Sequence, residues 1–137
     1  MTLLSSKGMY GLAAMFELAQ RNSDKPIQIK EISKSAKIPQ NYLEQLLNAL
    51  RKAKLVKSIR GAQGGYLLAD DPKNISIKDI LVALDGEVCI AQTKTDNPIL
   101  ELFYNDTRKK IEKIFEVTLA DFGQYIEKYT DSLHYDI

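Results

Sequence analysis

The apolar positions of this chain recur mostly at spacings of three and four, the period of an amphipathic helix. Met9, Leu12, Phe16 and Ala19 form one such series, and with Ser5 or Ser6 as a side-chain cap they predict a first helix running to about Arg21. After the turn-forming stretch NSDKP, residues 22–26, the segment IQIKEISKSAKI predicts a short extended piece and a helix of about two turns. That helix is expected to halt at Pro39, because the residue before a proline is pushed out of helical angles. A third helix, QNYLEQLLNALRKA, places Leu43, Leu46, Leu47 and Leu50 on one face. Asn41, Glu44, Gln45 and Asn48 fall on the opposite face, with Arg51 and Lys52 near the end.

The period then changes. LVKSI and YLLA, on either side of RGAQGG, are rich in β-branched, aromatic and aliphatic residues and too short for stable helices, so they predict a β-hairpin with glycines at its tip. Beyond it, Ile77, Ile80, Leu81 and Leu84 form the packing face of a fourth helix capped by Ser76, with Asp79 three residues on. Asn97 as cap and Pro98 as first helical residue open a long helix in which Leu100, Phe103, Thr107, Ile111, Ile114 and Thr118 recur at three and four. Thr118 followed by Asp121 predicts a last helix through about Lys128. The tail TDSLHYDI has no clear period and is expected to be loosely held.

A glycine-rich stretch between apolar segments raises the question of a phosphate loop. Such a loop leads into a helix, and the P-loop needs Lys followed by Ser or Thr after its last glycine. Gly65 is followed by Tyr66 and Leu67, which excludes the nucleotide reading. The amide-rich face of the third helix suggests another polyanion. Asn and Gln pair with adenine edges, a carboxylate accepts from the cytosine amino group, and Arg51 and Lys52 can hold phosphates. Two helices joined by a short turn, the second bearing such a face, read as a helix-turn-helix, and a hairpin directly after them reads as a wing. Arg60 at the wing's base is placed to enter a minor groove, and Gly61, Gly64 and Gly65 permit close approach. An ordinary surface helix with solvated amides is the alternative at this stage.

Charge favours the first of these. The net charge is only +1, but residues 1–68 hold 11 Lys and Arg against 4 Asp and Glu, a net of +7. Residues 69–137 hold 8 against 14, a net of −6. A basic amino-terminal half suits a polyanionic partner. At 137 residues, 45% hydrophobic and 27% charged, the chain is expected to form one compact unit. No apolar run approaches the roughly 20 residues that span a bilayer, and the start lacks the order of a signal peptide, so a cytoplasmic protein without a membrane partner is expected. With Cys89 as sole cysteine and His134 as sole histidine, zinc and iron–sulfur sites are short of donors, and no cofactor is expected. No nucleophile–base pair or carboxylate pair stands out, which argues against an enzyme.

The segments SSKGMYGLAAMFELA, IKEISKSAKIPQNYLEQLLNALRKAKLVKSIRGAQGGYLLA, ISIKDILVALDG and TLADF resemble, in that order, the bacterial winged-helix regulators of the IscR, NsrR and CymR family, the Rrf-two family. The resemblance runs through residues 2–86 and resumes from Pro98 to about Ile126. It implies a mainly α fold with a small β-hairpin, a winged helix-turn-helix plus a long C-terminal dimerisation helix. The division it implies is a DNA-binding domain over 1–86, a sensor-type loop over 87–97, and the dimerisation helix with a C-terminal helix over 98–137. The function it implies is a homodimeric repressor on a palindromic operator in double-stranded DNA. Asn41 and Glu44 then correspond to base-reading residues, Arg60 to the minor-groove residue, and Lys7 and Tyr10 to phosphate contacts. Tyr42, Gln45, Asn48, Arg51, Lys52, Gly61, Gly64 and Gly65 complete the DNA-facing set, and Leu100, Phe103, Thr107, Ile111 and Ile114 the dimer face.

Three departures matter. Met9 stands where the family's KGRYG has arginine, and the wing tip is GAQGGY in place of the commoner proline-and-glycine form. The sensor stretch EVCIAQTKTDN holds Cys89 alone where cluster-binding members carry three cysteines, and no histidine precedes His134. The chain therefore resembles a cluster-free member, whose signal is expected to be a small-molecule metabolite, a partner protein or the redox state of Cys89. The alternative for Cys89 is a small buried hydrophobe with no sensing role. The competing function is a winged-helix protein-interaction module without specific DNA binding.

Overall fold

In the computed structural model, which describes residues 1–21 and 24–135, the Ser5 hydroxyl accepts the Gly8 N–H at 3.0 Å and starts helix α1, Ser6–Arg21. Asn22 and Ser23 of the expected turn lie outside the described residues. Helices α2 (Ile29–Ala36) and α3 (Gln40–Lys52) follow, then an antiparallel hairpin of β1 (Val56–Ile59) and β2 (Gly65–Leu68), with Val56 opposite Leu68 and Ile59 opposite Gly65. Helices α4 (Ile77–Asp85), α5 (Pro98–Ile114) and α6 (Gly123–Tyr135) complete the order. The caps expected from sequence form: Ser76 Oγ accepts the Asp79 N–H at 3.0 Å, and Asn97 Oδ1 accepts from Ile99 and Leu100 at 2.9 and 3.3 Å.

The core is built around α3. Leu43, Leu46, Leu47 and Leu50 are completely buried, against Met15 of α1, Ile32 and Ile38 around α2, and Ile75 and Ile80 around α4. Full burial of each leucine is worth roughly 1.5–3 kcal/mol, so this face alone settles how α3 is rotated.

Three sequence expectations need correction. The buried side of α1 is Gly8, Gly11, Ala14, Met15 and Leu18, whereas Met9 is exposed and Leu12, Phe16 and Ala19 are half-buried. The reason is the close crossing of α4: a Cβ at Gly11 would overlap Leu84. The helix turns its small residues inward, which a search for large apolar ones overlooks. Helix α2 ends at Ala36 and not at Pro39. Lys37 takes the left-handed conformation (φ 57), its N–H bonds the Ser33 carbonyl, and the Ser33 hydroxyl donates to the Ile38 carbonyl. The tail is largely helical, since α6 continues past Lys128 to Tyr135. Tyr125, Ile126, Tyr129 and Leu133 do recur at helical spacing, but the series straddles Lys128, so neither side of it shows a full period. Asp136 and Ile137 lie outside the described residues.

The segment between α5 and α6 is threaded back into the core. Thr118 lies beyond α5 and pairs with Ser76 in an isolated antiparallel bridge. The Ile77 N–H donates to the Val117 carbonyl at 2.8 Å and the Leu119 N–H to the Ile75 carbonyl at 3.0 Å. Leu119 is buried among the core residues. The expected Thr118–Asp121 capping box closes the segment, with N–H to oxygen distances of 2.8 and 3.3 Å, and a single 3₁₀ turn, Ala120–Phe122, leads into α6. Leu119→Ala is expected to lower unfolding stability by about 2–5 kcal/mol in a urea titration. A change below about 0.5 kcal/mol would show that this segment is peripheral.

Candidate nucleic-acid interface

With its leucines turned inward, α3 presents Asn41, Glu44, Gln45, Asn48, Arg51 and Lys52 to solvent, all of them exposed. Arg51 donates to Asn48 Oδ1 at 2.8 Å, which leaves the Asn48 amide hydrogens and the rest of the guanidinium outward. Among the described residues the Glu44 carboxylate has no hydrogen bond or ion pair, so its acceptors are open. Tyr42 is half-buried and meets Tyr10 of α1 edge to face, ring centroids 5.5 Å apart at 78°. This contact places the exposed start of α1, with Lys7 and Met9, beside the start of α3.

The wing explains its own glycines. Gly65 (φ 154) lies against Ile27, whose N–H and carbonyl exchange 2.9 Å hydrogen bonds with Tyr66. A Cβ at Gly65 would collide with the Ile27 carbonyl, and one at Gly64 with the Ile59 carbonyl. The close approach expected from the glycines is thus made first of all to the chain itself. Gly64 closes the tip by donating to the Gly61 carbonyl at 3.0 Å. Gly61 faces open space, next to the exposed Arg60.

The ion pairs among the described residues lie away from the α3 face. Arg21 is taken up by Glu17 (3.1 Å), Glu31 (3.2 Å) and the Ser35 hydroxyl (2.9 Å), so it ties α1 to α2. In the acidic half, Lys78 and Arg108 pair with Glu112 at 3.5 and 2.9 Å, and Lys110 pairs with Asp106 at 3.1 Å. Among the described residues Lys7, Lys52, Lys54, Lys57 and Arg60 form no ion pair. Lys54 and Lys57, at the turn after α3 and on β1, join this face without belonging to any helical series, and the only signal for them in the sequence is the basic run from Arg51 to Arg60. Behind the wing, the Asn74 amide and then the Asp71 N–H hold the Asp70 carboxyl below its ordinary range, with smaller help from Lys57 and Lys73.

The remaining sequence candidates lie apart from this face. No residue of α5 is buried. Leu100, Phe103 and Ile114 are exposed, joined by Ile99 and Leu102, whereas Thr107 and Ile111 are half-buried. Ile111 is turned toward Leu81 and Phe115, where it lines a small cavity. Helix α6 adds Tyr125, Ile126, Tyr129 and Leu133, also exposed. Cys89 is exposed in the loop between α4 and α5, its thiol donating to the Ala91 carbonyl at 3.0 Å, which overturns the buried-hydrophobe reading. It borders a cavity of about 440 Å³ lined also by Glu87, Asp96, Glu101, Tyr104 and Arg108. Among the described residues no three His, Cys, Asp or Glu side chains are gathered to hold a metal ion, and Cys89 is the chain's one sulfur donor of the thiolate kind. That donor set does not fit a thiolate-held iron cluster.

Comparisons with known proteins agree with this geometry. The family model Rrf2, described as an iron-dependent transcriptional regulator, matches residues 4–130. The HTH-type transcriptional regulator CymR of Bacillus subtilis is 36% identical over 126 residues, 90% of this chain and 91% of that protein. IscR of Photobacterium profundum is 42% identical over 85 residues, 62% of this chain and 49% of that protein. The solved structure of B. subtilis CymR, that organism's global cysteine regulator, superposes with a TM-score of 0.81 at 37% identity, covering 91% of this chain and 98% of that one. T. potens IscR gives 0.76 at 40% identity, covering 92% and 89%. These relatives are transcriptional regulators, not enzymes. The fold agrees with theirs over most of the chain, which therefore belongs to the Rrf2 family of winged-helix transcriptional regulators.

Proposed function

We propose that the protein is a cytoplasmic, homodimeric, sequence-specific repressor that lays α3 in the major groove of an operator and its wing in the flanking minor groove. One observation carries this reading. The polar face of α3 is held outward by four fully buried leucines, and the cations beside it, Lys52, Lys54, Lys57 and Arg60, lack ion-pair partners among the described residues. An interaction module that had lost DNA binding would have no use for an unneutralised basic ridge around an amide-rich helix. In this reading Glu44 and Asn41 read bases, with Gln45 and Asn48 beside them. Lys7, Tyr10, Arg51 and Lys52 hold phosphates, and Arg60 enters the minor groove.

The second copy is inferred from α5 and α6. Helix α6 leans chiefly on the 3₁₀ turn that precedes it, and an isolated helix of its 13 residues is marginal in water. Its exposed Tyr125, Ile126, Tyr129 and Leu133, with Leu100, Phe103 and Ile114 of α5, supply an apolar surface that two copies would cover mutually. The signal is assigned to the 87–97 loop, without a cluster, as a metabolite, a partner protein or the thiol state of Cys89. The exposure of Cys89 supports the thiol state.

Four measurements test this. If the dimer makes on the order of 6 to 10 phosphate contacts, affinity for a duplex selected from genomic DNA should fall roughly 10³- to 10⁵-fold between 50 and 200 mM salt. Glu44→Ala should change the preferred base at one position of each half-site, at about 1–3 kcal/mol per misread pair, whereas Lys52→Ala should weaken all sequences alike. Affinity indifferent to salt would sink the DNA reading. Phe103→Glu should give a monomer in sedimentation and weaken operator binding by about 10²-fold or more, since half-sites are then bound singly. A variant that stays dimeric removes α5 from the interface. Peroxide should alter DNA affinity reversibly, thiol reductant restoring it, and Cys89→Ser should abolish the response. An equal response in the serine variant would leave a metabolite or protein partner as the signal.

A further inference from the structure

The first turn of α1 does not stand on its own. It holds no acidic residue against the positive end of the helix dipole. The hydroxyl that caps it is itself held: Ser5 Oγ donates to Asp85 Oδ2 at 2.6 Å while accepting the Gly8 N–H at 3.0 Å. That O–H···O⁻ length is in the range of charge-assisted bonds. Asp85 is the last residue of α4, 80 positions away in sequence. The two helices meet closely at the same place. A Cβ on Gly8 would stand 2.9 Å from Asp85 Oδ2 and 3.1 Å from Leu81 Cδ2.

The same turn carries Lys7 and Tyr10 on its outer side, and Tyr10 rests on Tyr42 of α3. A continuous set of contacts therefore joins the end of α4 to the start of the recognition helix: Asp85 to Ser5, Ser5 to the first turn of α1, and Tyr10 to Tyr42. Immediately after Asp85, Gly86 (φ 84) turns the chain into the 87–97 loop.

We propose that Asp85 is a positioning residue for DNA binding. Through Ser5 it fixes the first turn of α1, so that Lys7 and Tyr10 meet backbone phosphates in register with α3. The proposal rests on the DNA-binding reading above. Asp85 does this without touching DNA, because its carboxylate is directed at the Ser5 hydroxyl. Its place at the root of the loop also makes it the point through which a displacement of the loop reaches α1.

The test uses the full chain and one selected operator duplex, titrated at several salt concentrations. Ser5→Ala and Asp85→Ala should each weaken binding by about tenfold, the order expected for removal of one charge-assisted hydrogen bond, and the double variant should be no weaker than either single one. Asp85→Asn, whose amide oxygen still accepts, should stay within about twofold of wild type. The salt slope should shrink by about 0.9 for each phosphate that is no longer neutralised. Lys7→Ala should weaken binding and reduce the further effect of Asp85→Ala, leaving only the part carried by Tyr10. A merely structural Asp85 would lower the melting temperature yet leave the salt slope and the Lys7 dependence unchanged. Unchanged affinity in Asp85→Ala, or additive single effects, with Lys7→Ala still weakening binding, overturns this proposal and spares the DNA reading. Lys7→Ala without effect also overturns this proposal alone, whereas a wild-type protein that does not bind the duplex overturns both.

Discussion

The burial of Leu43, Leu46, Leu47 and Leu50 is the constraint on which the rest depends. A helix advances 100° per residue, so sinking these four positions leaves Asn41, Glu44, Gln45 and Asn48 no direction but outward. To turn any of them inward would expose a leucine, at roughly 1.5–3 kcal/mol each. The face proposed to meet DNA is thus held by the core energetics of the domain, on a helix and not on a loop, and a bidentate contact with a base edge would need such preset geometry.

Electrostatics completes what packing begins. The ion pairs among the described residues lie away from the basic face: Arg21 within the α1–α2 contact, and Lys78, Arg108 and Lys110 on or against α5. The basic run around α3 and the wing is left without such partners, at a cost in mutual repulsion that a polyanion would offset.

The carboxy-terminal segment has two attachments of different strength. Leu119 and the Ser76–Thr118 bridge fasten it to the core, whereas α5 and α6 carry their apolar residues into solvent. A segment fastened to the core near its middle, with apolar residues exposed on both flanking helices, fits the proposed joining of two copies. The loop with Cys89 lies between these regions. Its amino-terminal root is the residue that bonds Ser5, so sensor loop, α4 and the start of α1 are neighbours in space although remote in sequence.

What the sequence determined by itself was most of what depends on residues within about four positions of each other. The caps at Ser5, Ser76, Asn97 and Thr118–Asp121, the hairpin about its glycines, and the division of α3 into leucine and amide faces were all legible, because hydrogen-bond spacing and the helical period are local. The rotation of α1 was not, since Gly8 and Gly11 become a packing face only once Leu81 and Leu84 of α4 come against them. Nor were the left-handed stop at Lys37, the contact of Gly65 with Ile27, the exposure of Cys89, or the bond from Ser5 to Asp85. Each of these depends on how two separate elements approach or on how the chain leaves one of them. No period in the sequence records that approach, and only the folded arrangement of helices and hairpin decides it.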